Sequence, residues 1–278
     1  MTLKPLITTL LRCPVCGCDG VPSEDGKIFR CTGKKTHCFD FSKSGYLNLA
    51  GPHGGAGDLK SAVRARSLFL ESGYYEKLSD AVNQILSDIR ASRVLDAGCG
   101  EGYYSNRMAQ KRIVLGVDLS TVGIDHASKY ARRDDLDAGF VVASLFQLPV
   151  ADASFDAVTN LFAPCAEEEF LRVLRAGGYL ILVSAGEKHL FGLKKVLYEN
   201  PYENQERADL PQNMELISKQ QLTYEINVEG RDRIDALFSM TPYFWRTSEQ
   251  DKAKLQSLDI LNTEVDFTIY LYRKGTQE

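Results

Sequence analysis

A glycine-rich segment at residues 98–102 has the spacing of a ligand-binding turn. Gly98, Gly100 and Gly102 follow a short apolar run that is typical of a buried strand. Glycine permits the tight turn that ends such a strand, and its missing side chain lets a ligand approach bare backbone. A second apolar run ends at Asp118, whose carboxylate can accept hydrogen bonds from both hydroxyls of a ribose. The pattern predicts a site for a nucleotide-like cofactor.

Two details help to choose between candidate cofactors. A G-x-G-x-G turn followed by an acid also occurs in NAD-binding proteins, so neither the glycines nor Asp118 separates the two cofactors. Asp96, however, precedes the first glycine by two residues, and the G-x-x-G spacing of the dinucleotide fingerprint is absent. Both details favour S-adenosylmethionine. The alternative that the glycine turn is accidental and holds no cofactor stays open.

A second group of chemically capable residues lies near the N-terminus, where five of the seven cysteines and one histidine fall within residues 13–38. Such clustering favours a metal site over disulfides. A C-x2-C pair is followed, after fourteen residues, by C-x5-H, which predicts one tetrahedral, structural Zn²⁺ with no position left open for catalysis. Cys38 is an alternative fourth ligand and Cys18 a weaker one. The predicted ligands are Cys13, Cys16, Cys31 and His37.

The composition excludes several classes of protein. With 44% hydrophobic and 25% charged residues, the chain is too apolar to be disordered. Its apolar stretches are far shorter than the roughly 20 residues that cross a bilayer. No small-residue cleavage site follows the N-terminal segment. We therefore expect a cytoplasmic protein without membrane contact.

The charge is distributed unevenly along the chain. Residues 1–93 carry 13 Lys and Arg against 9 Asp and Glu, whereas residues 94–278 carry 20 against 28. Any RNA contact is therefore expected on the N-terminal side. An ordinary solvated face is the alternative. The cations that we expect to contact RNA phosphates are Arg12, Arg30, Lys34, Lys35 and Lys43.

The pattern of apolar residues indicates which elements position these groups. From Arg93 onward, short β-rich runs alternate with helical ones, which predicts an α/β fold with a sheet wound by helices. Seven strands are predicted, near residues 93–97, 113–118, 139–143, 155–161, 179–185, 222–228 and 265–272. Helices are predicted near residues 59–71, 74–90, 103–110, 121–132, 167–174, 189–199 and 231–239. The glycine-rich residues 50–57 favour a linker, and residues 200–212 are polar enough for a loop.

The central segment resembles the class I methyltransferases. Their motif D-x-G-C-G-x-G is present at residues 96–102, and their third motif is present at residues 144–149 with a serine in place of the usual aspartate. The resemblance implies a Rossmann-like sheet of seven strands that binds S-adenosylmethionine. It implies that the following side chains lie at the cofactor, with the turn glycines and Asp118: Asp96, Leu119, Ser144 and Leu145.

Nearly the whole chain resembles one family, the 23S rRNA (guanine-N1)-methyltransferases that include tylosin-resistance enzymes. Sequence motifs of that family are present at residues 37–40, 45–49, 73–75, 162–164, 189–190 and 240–246. The resemblance implies a zinc-binding, RNA-recognition module at residues 1–50 and a methyltransferase domain at residues 51–278. It also implies that Tyr75, Glu101 and His189 approach the cofactor. The alternatives are that Tyr75 packs on the sheet and that His189 is a capping or surface residue.

In that family the methyl group goes to N1 of a guanine in a 23S rRNA hairpin. Asn160, directly after the fourth predicted strand, could bond the guanine edge, although a structural role is equally compatible with the sequence. Tyr243, Phe244 and Trp245 could stack on an extruded base or form a C-terminal core cluster. The base that removes the N1 proton is not identified, and the oligomeric state, a homodimer included, stays open. A small-molecule methyltransferase with a structural zinc lid and a non-catalytic RNA-binding protein are the alternative functions.

Overall fold

The N-terminal part of the chain forms a small sheet of its own. The computed structural model describes residues 3–51 and 60–276. Helix α1 (Pro5–Thr8) precedes an antiparallel sheet of β1 (Gly20–Pro22), β2 (Ile28–Cys31) and β3 (Cys38–Asp40). The predicted metal ligands therefore lie before β1, at the end of β2 and just before β3.

A larger, eight-stranded sheet organises the remainder of the described chain. Its strands lie in the order β10-β11-β9-β8-β5-β6-β7-β4. The strands from β4 to β9 pair in parallel, whereas β11 pairs antiparallel with both β9 and β10. Their bounds are β4 (Leu47–Asn48), β5 (Arg93–Ala97), β6 (Ile113–Asp118), β7 (Ala138–Val142), β8 (Phe155–Leu161), β9 (Leu174–Ala185), β10 (Glu215–Glu229) and β11 (Ile260–Arg273).

The predicted α/β class and the seven predicted strands are confirmed. Strand β4 was not predicted, because it forms only where Leu47 and Asn48 reach β7 and pair with Val141 and Val142. The last two strands are longer than predicted, since they extend each other as the two sides of one antiparallel pair. Such lengthening depends on a partner strand and leaves no local signal.

Helices cover both faces of the sheet. They are α2 (Lys60–Glu71), α3 (Glu76–Asp88), α4 (Tyr103–Met108), α5 (Thr121–Arg133), α6 (Glu167–Val173), α7 (Phe191–Leu197), α8 (Arg231–Ser239) and α9 (Glu249–Leu255). Each predicted helix has a counterpart among α2 to α8. Helix α9 was not predicted because its seven residues bury only Leu255, too little for a helical apolar pattern.

The core lies on both faces of the sheet. Successive strand residues point to opposite faces, so Val94 packs with α2 and α3 while Leu95 packs with the N-terminal segment. Because both faces are covered, the central strands are continuous apolar runs. None of the helices in the described residues combines the length and apolar composition that crossing a bilayer requires.

The N-terminal segment shares a core with the large sheet. Leu3 and Ile7 lie so close to β7 that a Cβ at Gly139 would be 2.7 Å and 2.8 Å from their side chains. Farther along, the N–H of Arg12 donates to the carbonyl of Pro149 at 2.8 Å. The linker predicted at residues 50–57 lies largely outside the described residues, and the division at residue 50 stays a prediction.

Candidate cofactor cleft and metal centre

The glycine turn joins the end of β5 to the start of α4. Gly98, Gly100 and Gly102 all have positive φ angles, of 84°, 55° and 80°. A Cβ at Gly98 would clash with the side chain of Ala163, and one at Gly102 would be 2.5 Å from the Cβ of Ala127. Backbone conformation and crowding both require glycine here, so the loop presents bare backbone at the carboxyl end of the sheet.

Asp118 ends β6 directly beside this turn. One carboxylate oxygen accepts the N–H of Gly100 at 3.0 Å, and the other accepts the N–H of Ser120 at 2.7 Å. Each ionised carboxylate oxygen has a second acceptor position. The half-buried Asp118 therefore shapes the turn and still has capacity for two further donors, as the hydroxyls of a ribose would supply.

Asp96 lies beneath the turn. Its carboxylate accepts hydrogen bonds from the hydroxyls of Ser105 and Thr159, the latter at 2.9 Å. Burial raises the pKa of Asp96 to about 6, although both hydroxyl donors favour the charged form. The geometry therefore makes Asp96 a support that ties β5 to α4 and β8.

Glu101 connects the turn to α2. It is buried, and it accepts a hydrogen bond from Nε of Arg66 at 2.5 Å. Burial raises the pKa of Glu101, while the charge of Arg66 opposes that shift. The same guanidinium lies 3.2 Å from the position of a Cβ at Gly100. Helix α2 therefore packs over the turn through one ion pair.

Tyr75 and His189 meet across the cleft. The Tyr75 hydroxyl and Nε2 of His189 are 3.1 Å apart, and both rings pack on Phe267 of β11. Burial lowers the pKa of His189 to about 4, and Nδ1 accepts the N–H of Asp266 at 3.3 Å. The neutral ring therefore carries its proton on Nε2 and donates it to Tyr75. The hydrogen of the Tyr75 hydroxyl stays available for a further acceptor.

An apolar rim borders Asp118. Leu119 and Phe146 are exposed although both are large and hydrophobic, and Leu145 is buried beneath them near Gly98. The Ser144 hydroxyl accepts the N–H of Phe146 at 3.2 Å. Exposed apolar side chains beside an acid with free acceptor positions suit the flat base of a nucleoside.

One buried hydroxyl in this region has no partner. The Tyr104 hydroxyl, in the first turn of α4, makes no hydrogen bond within the described part of the chain. A buried polar atom without a partner often indicates a missing ligand or water. The acceptor positions, apolar rim and unpaired donor together fit a nucleoside cofactor that carries a polar amino-acid tail.

Asn160 is committed to the protein itself. It is fully buried at the end of β8, and its amide nitrogen donates to the carbonyls of Ala97 at 3.0 Å and Pro164 at 3.2 Å. Both amide hydrogens are therefore used, which favours the structural alternative for this residue. Phe162, two residues later, is exposed and has a φ of 57°.

Phe162 and Arg207, which contacts Asn160, have no role that the sequence alone predicts. A non-glycine residue in the left-handed region often indicates a functional site, but the strain is visible only in the folded backbone. Arg207 lies 47 residues from Asn160, in the predicted polar loop, so local pattern could not have associated them. The residues predicted to stack on a base differ in exposure, since Tyr243 is buried in the core while Trp245 is exposed.

The four predicted metal ligands lie together. Their ligand atoms are all within 4.8 Å of one another. Nδ1 of His37 is 3.6 Å from the sulfur of Cys13 and 3.4 Å from that of Cys31, and the sulfurs of Cys16 and Cys31 are 3.7 Å apart. Zinc bond lengths require tetrahedral edges of about 3.8 Å between sulfurs and about 3.6 Å from sulfur to nitrogen. The donor set fits one Zn²⁺.

The alternative ligands lie outside this cluster. Cys38 is exposed on β3, and the sulfur of Cys18 contacts the carbonyl of Cys16 instead. Among the described residues, the ligand-forming group contains His37 and neither alternative. Of the predicted phosphate contacts, Arg30, Lys34, Lys35 and Lys43 are exposed, whereas Arg12 pairs with Asp19 at 2.8 Å.

Known proteins resemble the chain in two ways. A sequence model of a methyltransferase-domain family matches residues 94–178. A solved structure reported as "Conversion of a Disulfide Bond into a Thioacetal Group during Echinomycin Biosynthesis" superimposes with a TM-score of 0.50 at 16% identity, over 71% of this chain and 82% of that one. The match between structures shows the fold alone, and the sequence match makes it a methyltransferase fold.

Curated relatives match nearly the full length. A Bacillus subtilis (strain 168) protein, provisionally named a 23S rRNA (guanine-N(1)-)-methyltransferase, is 29% identical over 96% of this chain and 98% of its own length. A Streptomyces fradiae protein named 23S rRNA (guanine(748)-N(1))-methyltransferase is 26% identical over the same shares of the two chains. These matches include the cysteine cluster as well as the cleft. Over nearly its full length the chain is therefore similar to proteins named as 23S rRNA (guanine-N1)-methyltransferases.

Proposed function

We propose that this protein transfers a methyl group from S-adenosylmethionine to N1 of a guanine in a 23S rRNA hairpin. The observation that carries the proposal is the cleft at the carboxyl edge of the sheet. There the glycine turn lies against the acceptor positions of Asp118, and the Tyr75–His189 pair lies at the same edge, packed on Phe267 opposite the end of β9. The names of the full-length relatives support the RNA substrate.

The proposal assigns the cleft residues to parts of the cofactor. Asp118 holds the ribose, and the three turn glycines allow close approach of the backbone. Leu119, Ser144 and Leu145 border the adenine, while Tyr75 and His189 hold the methionine portion with Glu101 nearby. Asp96 supports the turn from beneath. S-adenosylmethionine, when bound, supplies an electrophilic methyl group on a sulfonium.

The small N-terminal sheet serves RNA recognition in this proposal. One zinc ion on Cys13, Cys16, Cys31 and His37 fixes the turns of that sheet, whose own core is small. The exposed cations Arg30, Lys34 and Lys35, on β2 and just after it, and Lys43, after β3, contact phosphates. We place the enzyme in the cytoplasm. Light scattering would distinguish a monomer from a homodimer.

Labelled cofactor tests the proposal directly. Purified protein is incubated with labelled S-adenosylmethionine and either 23S rRNA or a pool of small metabolites. We expect label in the RNA, recovered as 1-methylguanine at one position by mass mapping. The Asp118→Ala variant serves as the control, because its weaker cofactor binding should reduce the label incorporated at a limiting cofactor concentration. Label that enters only the metabolite pool would contradict the RNA substrate and favour a small-molecule methyltransferase.

A further inference from the structure

The loop between α7 and β10 is fixed at both ends. Near its start, the buried amine of Lys194 donates to the Asn204 side chain at 2.6 Å, and Asn204 donates in turn to the carbonyl of His189 at 3.1 Å. Near its end, the Asp209 carboxylate accepts the N–H of Cys165 at 3.1 Å. The residues between these anchors are therefore held in a defined position beside the cleft.

Arg207 lies between the two anchors and turns its guanidinium toward β8. Asp209 accepts hydrogen bonds from Nε at 2.6 Å and from Nη2 at 2.9 Å. Nη2 also donates to the carbonyl of Ala163 at 2.8 Å and approaches Oδ1 of Asn160 at 3.4 Å. Only 10% of the side chain is exposed, and the hydrogen bonds that Arg207 makes within residues 3–51 and 60–276 come from Nε and Nη2. Nη1 therefore remains available to a ligand, and the cation is held in place by its other two nitrogens.

Arg207 also borders a cavity of about 340 Å³. The cavity lies at the carboxyl end of β9 and along β10 and β11, and its polar lining includes Ser184, Lys219 and Gln221. Pockets for small ligands begin at about 300 Å³, so this volume suits one flat, polar group such as a nucleobase.

The strand order places this cavity opposite the cofactor cleft. Strand β8 lies between β5, which carries the glycine turn, and β9, which borders the cavity. The carboxyl end of β8 is therefore flanked by both sites. Arg207, which bonds the carbonyl of Ala163 just after β8, lies at the boundary between the two sites.

We propose that Arg207 is a catalytic residue that binds O6 of the target guanine through Nη1. This inference rests on the proposed function. It explains how N1 is activated where the sequence identifies no base. When the N1–H bond breaks, the negative charge of the guanine is shared between N1 and O6. A guanidinium at O6 stabilises that charge in a site from which water is largely excluded.

The bonds and charges of the step balance. The proton of N1 passes to water. The N1 lone pair forms the bond to the methyl carbon, and the electrons of the broken carbon–sulfur bond stay on sulfur. A neutral methylguanine, a neutral thioether and one proton result.

The charged groups around Arg207 are consistent with proton loss to water. Arg207 holds the pKa of the Asp209 carboxyl below its usual range, and Lys219 at 2.7 Å does the same for Glu206. Such paired carboxylates are poor proton acceptors at neutral pH. The other charged group that borders the cavity is Glu187, just after β9.

The first test measures single-turnover methylation against pH. Arg207→Gln should lower the rate at neutral pH by about 100-fold, the usual effect of removing one donor to a developing oxyanion. Its rate should continue to rise at pH values where the wild-type rate has levelled off, because the guanine must lose its proton unassisted. Arg175→Gln is the matched control, since Arg175 is half-exposed and pairs with Asp156 at 2.7 Å outside the cavity lining.

Arg207→Lys provides a second variant in case the glutamine variant does not fold. Lysine retains the charge but cannot bond Asp209 and O6 together, so we expect an intermediate rate and an intermediate pH profile. An equal loss of rate in both variants, with an unchanged pH profile, would mean that Arg207 only holds the loop.

The second test measures binding without catalysis. The hairpin is prepared with guanine or with 2-aminopurine, which lacks O6, at the methylated position. Wild-type protein should bind the guanine hairpin about 10-fold more tightly, because the 2-aminopurine hairpin loses one hydrogen bond to a charged group. Arg207→Gln should bind both hairpins equally. Retained discrimination in the variant would overturn the contact with O6.

The two proposals fail in different ways. If the wild-type protein methylates no rRNA, the proposed function is wrong. If it methylates the guanine and Arg207→Gln behaves like Arg175→Gln, the function stands and the role of Arg207 is rejected.

Discussion

Asp118 shapes the glycine turn and also offers acceptor positions to a ligand. Its two oxygens hold the N–H groups of Gly100 and Ser120, so removing the carboxylate releases the turn as well as the proposed ribose contacts. The structure and the proposed ligand therefore depend on the same two atoms.

Asp118→Ala should weaken S-adenosylmethionine binding by roughly 10-fold to 100-fold, since hydrogen bonds to a charged acceptor contribute about 1.5–3 kcal/mol. Isothermal titration calorimetry measures this. Asp259→Ala is the control, because Asp259 is exposed and its one ion pair, to Arg231, is long at 3.7 Å. Wild-type affinity in Asp118→Ala would reject the ribose contact.

Asp96 makes a contribution to stability that depends on pH. Burial raises its pKa to about 6, above the value in the unfolded chain. The folded state therefore binds the proton more tightly. This stabilisation is complete below about pH 4 and is lost as the pH rises through about 6.

Comparing the wild type with Asp96→Asn isolates the pH-dependent contribution of Asp96 to the unfolding free energy. Between pH 4 and pH 7 the wild type should lose about 2 kcal/mol of unfolding free energy through Asp96, on top of the slope from other carboxylates. The variant should lack this part, because asparagine does not titrate. Urea unfolding at four pH values measures the difference, and parallel curves for the two proteins would contradict the shifted pKa.

Phe162 has an exposed ring and a positive φ at the carboxyl end of β8. Base stacking on an aromatic side chain contributes about 1–3 kcal/mol. Phe162→Ala should therefore weaken RNA binding by about 10-fold with little change in cofactor affinity, measured by fluorescence anisotropy and calorimetry. Phe146→Ala is a matched exposed control on the proposed adenine rim, and it should change cofactor affinity rather than RNA affinity. If Phe162→Ala weakened cofactor binding and Phe146→Ala weakened RNA binding, the two roles would have to be exchanged.

The small N-terminal sheet depends on its metal ligands. The small sheet has three strands of three or four residues. Strands of this length rarely hold together without a partner or a cross-link. Zinc supplies that cross-link between the turn before β1 and the end of β2.

Cys31→Ser should reduce bound zinc from about one ion per chain to none, because structural zinc sites require all four ligands. Cys38→Ser, seven residues away, should retain the ion. Metal content by mass spectrometry and thermal unfolding compare the two variants. Loss of zinc in Cys38→Ser with retention in Cys31→Ser would mean that the ligand set is wrong.

Contacts between distant parts of the chain decide how the N-terminal segment sits on the large sheet. Gly139 on β7 leaves room for Leu3 and Ile7, which approach from more than a hundred residues away. Gly139→Ala should destabilise the protein by about 1–3 kcal/mol, the usual cost of overpacking a core. Gly275→Ala is the control, since nothing lies within 4 Å of its added Cβ. Urea unfolding measures both, and equal stability would mean that the segment does not pack there.

The sequence was sufficient for features with a local chemical reason. Short apolar runs between helical segments located the seven strands. A strand that is buried on both faces leaves such a continuous apolar run. The glycine turn and Asp118 could be identified from spacing, since a positive φ and a bare backbone admit few other residues. The cluster of Cys13, Cys16, Cys31 and His37 was predicted in the same way, because tetrahedral zinc limits ligand type and separation.

Tertiary structure decided the features that depend on residues distant in sequence. Asn160 was an open choice until its amide hydrogens were seen to bond Ala97 and Pro164. Arg207 has no recognisable pattern around it, and its Nη1 is available to a ligand only because the loop is held against β8. Strand β4 exists for the same reason. Local sequence determines which conformations a segment favours, but burial and hydrogen-bond partners belong to pairs of segments, and these are set only when the chain has folded.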